Sequence, residues 1–468
     1  MIKIMEQVFE SHTLEKIGWG INSGSIDPRE LVDYFLTKID KEREKDKIFT
    51  QVFREQAKKE AEAAYRRANG NTRLSLYDGI PLVWKDNFDI KDKPTSAGLK
   101  ILLEKVAKKD AVAYRISADA GFICLGKTNM TELAFSGLGI NPTFGTPTNP
   151  FDRHNIRVPG GSSSGSAIAV AKGLCCAGVG TDTGGSIRTP AAWNNLVGLK
   201  TTAGLISTEG VVPLSLTLDT VGFITRCVED AAILYHLIAQ TDKVDLSGVE
   251  CKGLNLIVCT NTVWDDIDPN ISAVLHSAIE DIARRGAIIE RRSIPEFEEA
   301  LELMSKKGNI VNYEGSKNWS EFLEANPGSI SADILDRFHV GAKTKESDIQ
   351  EVYQGLEELK KQYLKRTNDY TAILMPTVAS VPPIISQLEQ DNKKYASENL
   401  ISLRNTRLAN LFGLCAVSLP VGFTPSGLPV GLMLVAAPFS EVNLLRLASS
   451  VEKLFDGEFS PFGYVAKT

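Results

Sequence analysis

The chain has 468 residues, of which 43% are hydrophobic and 24% charged, and its formal net charge at pH 7 is −6. This composition is typical of a folded globular protein and excludes an intrinsically disordered one. The sequence pI of about 5.6 provides no basic footprint for nucleic-acid phosphates, so we predict no nucleic-acid partner. At this length the chain could form one large domain or two to three ordinary ones.

Two features bear on the cellular compartment. The seven cysteines include no CxxC pair and lie mostly in apolar runs, which indicates reduced, buried thiols. The N-terminus lacks an apolar stretch followed by a small-residue cleavage site, and the longest apolar tract, 166–180, is too short to cross a bilayer. We therefore predict a cytoplasmic protein without a membrane partner.

The N-terminal part, residues 1–70, is predicted to be a helical lead-in. Asp27 before Pro28, with Glu30 three residues further on, is typical of an N-cap, a first-turn proline and a capping box. A second helix, rich in Ala, Glu, Lys and Arg, is predicted over 56–69.

From about residue 79 onward, short apolar runs alternate with helical segments, which predicts βαβ units. We expect an α/β fold with a large central mixed, mostly parallel β-sheet sandwiched between helices. Strands are predicted in LVWKDNF, GFICLGKTN and LCCAGVG, and at 254–260, 287–294, 371–377, 416–423 and 428–436.

The chain shows no internal repeat and no Pro/Gly-rich linker, so a single domain over 1–468 is preferred. The stretch 296–370 is more polar, has helical charge periodicity and lacks Gly/Ser loops, which predicts a helical cap or insertion. Residues 396–468 are expected to return to the sheet.

Two Gly/Ser-rich loops, 159–167 and 180–191, dominate the sequence. The second follows the predicted strand LCCAGVG, and ligands of open α/β sheets bind beyond the carboxyl ends of the strands. Ser186 therefore lies where a catalytic residue is expected. Because Gly184 and Gly185 have no Cβ, they could turn consecutive N–H groups toward one point and hold an oxyanion.

A serine nucleophile needs a base to take its proton. Histidine is the usual base, but among the five histidines only His154 lies near a glycine loop. A Ser-His-Asp triad remains an alternative at this point. Lys85 lies inside the apolar run LVWKDNF, where burial would lower its pKa. A strand-end lysine paired with Asp86 or Asp89 fits the residue chemistry equally well.

The first loop alone is a weak signal, since Gly/Ser clusters are often plain turns. Gly160 and Gly165 have the spacing of a phosphate-binding Walker loop. That loop needs Lys followed by Ser or Thr after its second glycine, whereas Ser166 and Ala167 stand there. Nucleotide binding is therefore disfavoured.

Several segments carry a resemblance to a known family. They are GIPLVWKDNFD, LGKTNMTELAFSG, NPTFGTPTNPFD, RVPGGSSSGSA, GTDTGGSIRTPAAW, VGLKTTAGLIS and GVVPLSLTLDTVGFITRCVEDAA over about 75–235, then RNTRLANLFGLCAVSLPVGF and GLPVGLMLV. Together and in this order they resemble the amidase signature family of Ser-Ser-Lys amide hydrolases.

The resemblance implies roles for individual residues. Lys85 would be the base, Ser162 the bridging serine and Ser186 the nucleophile of an acyl-enzyme mechanism that needs no metal or organic cofactor. The 24-residue gap between Ser162 and Ser186 matches the family's spacing and favours Ser162 over its serine neighbours. The implied oxyanion hole consists of the backbone amides of Thr183, Gly184, Gly185 and Ser186.

Two departures from the family pattern concern the pocket. Ser164 stands in GGSSSG where the family usually has glycine, which could alter loop geometry or substrate access. The segment 201–204 replaces the commoner Pro-Thr-Tyr-Gly style and could reshape the pocket wall. Substrate-binding candidates, chosen for their proximity to the loops in sequence, are Met130, Thr131, Phe135, Ile187 and Trp193, although each is more often a core residue.

Three functions are compatible with these residues. The first is a stand-alone amidase that acts on a small-molecule carboxamide or urea-like substrate. The second is the glutaminase subunit of a tRNA-dependent amidotransferase, which would leave RNA contact to a partner. The third is a non-catalytic anion-binding module, which retention of Lys85, Ser162 and Ser186 disfavours. The sequence leaves the oligomeric state open, with a homodimer as one option.

Overall fold

The computed structural model describes residues 12–455, so the ends of the predicted lead-in (1–11) and of the predicted C-terminal return (456–468) lie outside it. The described strands form one eleven-stranded sheet in the order β1-β3-β2-β4-β6-β5-β10-β11-β9-β7-β8. The strands are β1 Phe49–Val52, β2 Pro81–Lys85, β3 Ile123–Thr128, β4 Ala177–Asp182, β5 Val197–Lys200, β6 Thr220–Thr225, β7 Asn255–Cys259, β8 Ile288–Arg292, β9 Ala372–Pro376, β10 Cys415–Phe423 and β11 Pro429–Ala436.

Helices cover both faces of this sheet. Along β9, Leu374 packs into one hydrophobic cluster while its neighbours Ile373 and Met375 pack into another, so both faces are buried. The described helices are α1 Leu14–Ser23, α2 Pro28–Lys41, α3 Lys45–Ile48, α4 Arg54–Asn69, α5 Val112–Asp119, α6 Ser164–Ala171, α7 Arg188–Trp193, α8 Val228–Ile238, α9 Pro269–Arg284, α10 Pro295–Lys307, α11 Ile310–Ala325, α12 Ala332–Ala342, α13 Glu346–Thr367, α14 Ile385–Glu389, α15 Asn392–Leu411 and α16 Glu441–Phe455.

The lead-in is helical as predicted, with one addition. Asp27 caps α2 by accepting a hydrogen bond from the Arg29 amide at 2.8 Å, and Pro28 occupies the first turn. The predicted second helix is α4, which begins two residues earlier than expected. The addition is β1, a four-residue edge strand antiparallel to β3, which is too short to give a hydrophobic pattern.

The mixed α/β sheet is confirmed, but the expectation that its strands pair mostly in parallel is wrong. Parallel pairing joins β2 to β3 and β4 on one flank, and β7 to β8 and β9 on the other. The remaining neighbour pairs are antiparallel, including the central β4-β6-β5-β10-β11-β9 run. One physical reason is the short turn between β10 and β11, because a hairpin forces its strands to run in opposite directions.

The predicted cap consists of α10 to α13, which matches the helical periodicity of that stretch. All seven cysteines are buried and free, as their apolar surroundings predicted. Among residues 12–455, none of the helices combines the length and the hydropathy that a membrane span requires.

Candidate active site

The site forms where two parallel strands end. β2 ends at Lys85 and its neighbour β4 ends at Asp182, and because the two strands are parallel, both ends meet at one edge of the sheet. The loop after β4 carries Ser186, and the loop before α6 carries Ser162. All of these side chains are almost completely buried; Ser186, the most accessible, is 4% exposed.

Lys85 contacts two hydroxyl groups. Its Nζ donates to Ser162 Oγ at 2.7 Å and to Thr181 Oγ1 at 2.8 Å, while Asn87 Nδ2 donates to the same Thr181 oxygen at 3.0 Å. The alternative pairing of Lys85 with Asp86 is not what the structure shows, because Asp86 forms its ion pair with Lys127 at 3.1 Å. Lys85 and Ser162 are thus brought together as the resemblance implies.

Burial lowers the pKa of Lys85 to about 7, because the desolvated ammonium is disfavoured. The negative charges of Asp219 and Asp182 oppose this effect. Near neutral pH a substantial fraction of Lys85 is therefore the neutral amine, which is the form that can accept a proton.

Asp182 holds the Ser186 loop. Its carboxylate accepts the amide N–H groups of Gly185 at 2.8 Å and Ile187 at 3.1 Å, and it pairs with the Arg188 guanidinium at 2.9 Å. Although burial alone would raise it, the pKa of Asp182 lies well below its usual range because of the Arg188 charge. The loop is therefore anchored by a permanently ionised group.

Gly185 has to be glycine at this point. Its φ of +137° lies in a region that side chains rarely adopt, and a Cβ would approach Thr406 Oγ1 to 2.1 Å. Thr406 itself donates to the carbonyl of Gly184 at 2.7 Å. The loop therefore packs directly against α15, with no room for a side chain.

A second carboxylate, that of the half-buried Asp219, anchors the start of the loop. It accepts hydrogen bonds from the Thr183 hydroxyl at 2.5 Å and from the amides of Leu214 at 2.8 Å and Ser215 at 3.1 Å. Burial raises its pKa to about 6. The two glycine loops are also joined directly, since the Ser163 amide donates to the Ser186 carbonyl at 3.3 Å.

The implied oxyanion donors are not equivalent. The amide of Gly185 already donates to Asp182, so it is engaged within the loop. Thr183, Gly184 and Ser186 line a cavity of about 220 Å³. A larger cavity of about 720 Å³ lies beside Thr13 and Glu229 and includes neither Ser186 nor Lys85 in its wall.

Opposite Ser186 the wall of this cavity comes from distant parts of the chain. Phe135 and Ser136 follow β3, and the helices of the predicted cap contribute Asn309 and Asn312 near the start of α11 and Arg337 from α12. Helix α15 contributes Asn399, Leu400, Leu403 and Arg407. The 296–370 region is thus part of the pocket wall.

Of the five substrate-binding candidates, Phe135 lines this cavity and the other four do not. Met130 and Ile187 pack into hydrophobic clusters, and Trp193 is buried with its indole N–H donating to the Ser380 carbonyl at 2.9 Å. The Thr131 amide donates to the Ser162 carbonyl at 3.1 Å, which holds the backbone of Ser162 in place. Proximity in sequence therefore selected core residues more often than cavity residues.

The two departures from the family pattern lie outside the cavity wall. Ser164 is fully buried at the start of α6, where its hydroxyl donates to the Asn129 carbonyl at 3.4 Å. Thr201 donates to the Val221 carbonyl at 2.8 Å, and the Thr202 amide donates to Glu441 at 2.6 Å. All five histidines lie within residues 12–455, and none of them lines the cavity.

The sequence analysis did not identify the residues that anchor the Ser186 loop or the distant residues that line the cavity. Asp182 and Arg188 flank Ser186 within GTDTGGSIRTPA. An acidic and a basic residue six positions apart, on either side of a proposed nucleophile, could have predicted an ion pair that holds the loop. Arg337 and Arg407 gave no such signal, because single arginines in amphipathic helices are usually solvated.

Comparisons with known proteins identify relatives over most of the chain. The Amidase family model matches residues 30–445. A 2-amino-5-chloromuconic acid deaminase of Comamonas testosteroni is 34% identical over 380 residues, covering 80% of this chain and 81% of that protein. A glutamyl-tRNA(Gln) amidotransferase subunit of Prochlorococcus marinus is 30% identical over 468 residues, covering 92% and 96%. A crystal structure of an amidase superposes with a TM-score of 0.85 at 28% identity, covering 95% of this chain and 100% of that one.

The fold and the family match define an amide-hydrolysing enzyme of the α/β class. The chain belongs to the Amidase family.

Proposed function

We propose that the protein hydrolyses the C–N bond of a small-molecule carboxamide through an acyl-enzyme on Ser186, with Lys85 as the base and Ser162 as the proton relay. The observation that carries this proposal is the 2.7 Å hydrogen bond between Lys85 Nζ and Ser162 Oγ in a fully buried setting. A hydroxyl can donate and accept at once, so Ser162 can take a proton from Ser186 and pass it to Lys85.

The proposed reaction begins with neutral Lys85. Ser186 Oγ attacks the amide carbonyl while its proton moves to Ser162, whose own proton moves to Lys85 Nζ. The resulting oxyanion accepts hydrogen bonds from the amides of Thr183, Gly184 and Ser186, the amide of Gly185 being engaged with Asp182. The proton then returns through Ser162 to the leaving nitrogen, and water releases the acid from Ser186 by the same relay.

A fluorophosphonate probe tests the nucleophile. Wild type should be labelled at Ser186, located by peptide mass spectrometry, and Lys85→Met should label far more slowly because Ser186 then has no base. Ser163→Ala is the matched control, since Ser163 lies next to the relay and belongs to no step of the mechanism. An unlabelled wild type would contradict the mechanism and would favour a non-catalytic anion-binding module.

The substrate class separates two candidate roles. One relative carries the name of a deaminase of an amino-substituted acid, and another that of a tRNA-dependent amidotransferase subunit. The cavity, at about 220 Å³, fits the small-molecule amide of either role. We favour a stand-alone amidase because the deaminase is more similar to this chain, at 34% identity against 30% for the amidotransferase subunit. Ammonia release from a panel of amides, with glutamine included and no partner protein added, distinguishes the two. Activity restricted to glutamine, and only with an added partner, would favour the role in an amidotransferase.

A further inference from the structure

A segment without helix or strand, residues 213–219, joins the cavity wall to the loop that follows β4. Leu214 lines the cavity near the start of this segment, and Asp219 at its end accepts the Thr183 hydroxyl at 2.5 Å. The other carboxylate oxygen of Asp219 accepts the amides of Leu214 at 2.8 Å and Ser215 at 3.1 Å. Asp219 therefore closes the segment on itself and ties it to Thr183.

The outer side of segment 213–219 is held by helix α11 of the cap. Glu314 of this helix accepts the Ser215 hydroxyl at 2.6 Å, and it accepts the hydroxyl and the amide of Thr217 at 2.7 and 3.1 Å. Two further side chains of α11 donate to backbone carbonyls of the segment, Asn318 at 3.2 Å and Trp319 at 2.8 Å. The conformation of the segment thus depends on α11.

Ser215 links two carboxylates in this arrangement. Its amide donates to Asp219, and its hydroxyl donates to Glu314. Glu314 is only 8% exposed, and it also accepts the Tyr353 hydroxyl of α13 at 2.5 Å. A continuous chain of hydrogen bonds therefore runs from two helices of the cap to Thr183, and such chains hold their members more firmly than isolated bonds do.

Both ends of this chain of hydrogen bonds reach the cavity beside the proposed nucleophile. Thr183 lines the cavity, and its amide is one of the proposed oxyanion donors. Helix α11 lines the same cavity through Asn312, two residues before Glu314. The far side of the loop is held from within by Asp182, which is paired with Arg188 at 2.9 Å. The loop is thus fixed at one side by its own ion pair and at the other side by the cap.

We propose that Glu314 is a positioning residue for the hydrolysis, on which it acts from the cap through segment 213–219. Glu314 fixes the segment, and the Asp219 carboxylate then aligns the Thr183 amide in the oxyanion hole. This inference rests on the proposed hydrolysis at Ser186. Oxyanion donors stabilise the transition state only when they point at the developing charge, so a small displacement of Thr183 slows the chemical step more than it weakens substrate binding.

The first test separates kcat from KM for ammonia release on the best substrate of the amide panel. In Glu314→Ala we expect kcat to fall by about 10- to 100-fold, which is less than the roughly 10²- to 10³-fold loss caused by deleting an oxyanion donor itself. KM should change by less than about threefold, because the Glu314 side chain does not line the cavity. Glu314→Gln keeps an acceptor oxygen and should retain more of the rate. A kcat of Glu314→Ala within about twofold of wild type would overturn the proposal.

Glu296→Ala is the matched control. Glu296 is another buried carboxylate of the cap, and its ion pair with Arg366 at 2.9 Å links α10 to α13 without contacting segment 213–219. Its loss should lower the melting temperature by an amount comparable to Glu314→Ala, and kcat should stay near that of wild type. Equal losses of kcat in the two variants would reduce the effect to the stability of the cap and would contradict a positioning role.

A double-mutant cycle tests whether Glu314 acts through Asp219. Asp219→Asn should lower kcat, and adding Glu314→Ala to it should have little further effect, because both residues lie on one path to Thr183. The cycle is measured at pH 9, above the pKa of about 7 of Lys85, because removal of the Asp219 charge also lowers that pKa. Additive losses of kcat would show that Glu314 acts by another route and would overturn the proposal.

A second variant covers the case in which Glu314→Ala does not melt cooperatively. The double variant Ser215→Ala/Thr217→Val removes the two hydroxyl donors from the other side of the contact and leaves the Ser215 amide on Asp219. It should show the same loss of kcat at a nearly constant KM. An unchanged kcat in a folded double variant would overturn the proposal.

The fluorophosphonate probe distinguishes failure of this inference from failure of the proposed function. If Ser186 is labelled in wild type and Glu314→Ala retains its kcat, the positioning role is wrong and the hydrolysis stands. If Ser186 is not labelled in wild type, the hydrolysis is wrong, and the positioning role is wrong with it.

Discussion

Two strands of the sheet end in a fully buried lysine, and the two lysines have different partners. Lys85 ends β2 and donates to the hydroxyls of Ser162 and Thr181. Lys200 ends β5 and donates to the carbonyls of Thr201 at 2.8 Å and Leu414 at 2.7 Å. Burial lowers both pKa values, to about 7 for Lys85 and about 8 for Lys200.

The difference teaches what makes a buried lysine a base. A carbonyl oxygen can only accept, so the partners of Lys200 favour its protonated form and offer no path for the proton. A hydroxyl can accept from an ammonium and donate to a neutral amine, so the partners of Lys85 suit both states. Burial and a lowered pKa are common to the two, and the hydroxyl partners Ser162 and Thr181 distinguish Lys85 from Lys200.

Replacing each lysine in turn is the strongest test of whether Lys85 and Lys200 have different roles. Lys85→Met should lower kcat/KM by on the order of 10⁴-fold or more, as in other enzymes that lose a member of a catalytic triad. Lys200→Met should lower it by less than about tenfold, since the hydrogen bonds of Lys200 go to backbone carbonyls and Asp182 keeps its ion pair with Arg188. Both are measured by ammonia release on the best substrate of the amide panel. Equal losses of kcat/KM in the two variants would mean that the hydroxyl partners of Lys85 do not distinguish it from Lys200.

The second test concerns the relay. Ser162→Ala should lower kcat/KM by about 10²- to 10⁴-fold, the usual contribution of a positioned proton-transfer group. Ser163→Ala is the neighbouring control, because the Ser163 hydroxyl donates to the Thr181 carbonyl at 3.4 Å instead of contacting Lys85. Ammonia release on the best substrate of the amide panel measures kcat/KM for both variants. A larger effect at Ser163 would transfer the relay to that residue.

The third test is the pH dependence of kcat/KM. Only deprotonated Lys85 accepts a proton, so the rate should be low below pH 7 and rise as the pH increases through the pKa of about 7. Thr181→Val removes an acceptor that favours the ammonium form, so the rising limb should move to lower pH by about 0.5 to 1 unit. Lys200→Met should leave the limb in place. A rising limb absent from wild type would exclude Lys85 as the base.

The smallest expected effect is on stability. Lys200→Met leaves two buried carbonyls without their donor and should reduce the free energy of unfolding by about 1–3 kcal/mol. Lys85→Met should cost less, because the two hydroxyls it leaves can rotate toward other acceptors and a desolvated charge is removed. Urea denaturation followed by circular dichroism measures both. A larger loss at Lys85 would assign that lysine a structural role as well.

The sequence predicted most strands because they are apolar runs of five or more residues. It missed β1 and β5, which have four residues each, and β6, in which glycine and threonine interrupt the hydrophobic run. Strand direction was harder to predict, because it depends on how distant segments meet in the sheet, and no local pattern records that. The expectation of mostly parallel pairing failed for this reason in the centre of the sheet.

The candidate residues Ser162 and Ser186 could be proposed because they lie in Gly/Ser-rich loops, whereas Lys85, at the end of β2, was singled out by the family resemblance. The surrounding residues were not, since their roles come from contacts across the chain. Arg188 contacts Asn410 of α15, and Thr406 of the same helix contacts Gly184, more than two hundred residues away in sequence. Arg337 and Arg407 line the same cavity only because α12 and α15 meet there.

The composition of the cavity wall has a consequence for redesign. The groups proposed for bond cleavage come from residues 85–186, whereas the opposing wall comes largely from 309–337 and 396–407. In the proposed mechanism, the groups that cleave the bond and most of the groups that face the substrate therefore lie in separate stretches of the chain. Exchanging α11 and α12 for those of another amidase is therefore a route to new substrates. The exchange would change the side chains that line the cavity and would leave Lys85, Ser162 and Ser186 unchanged.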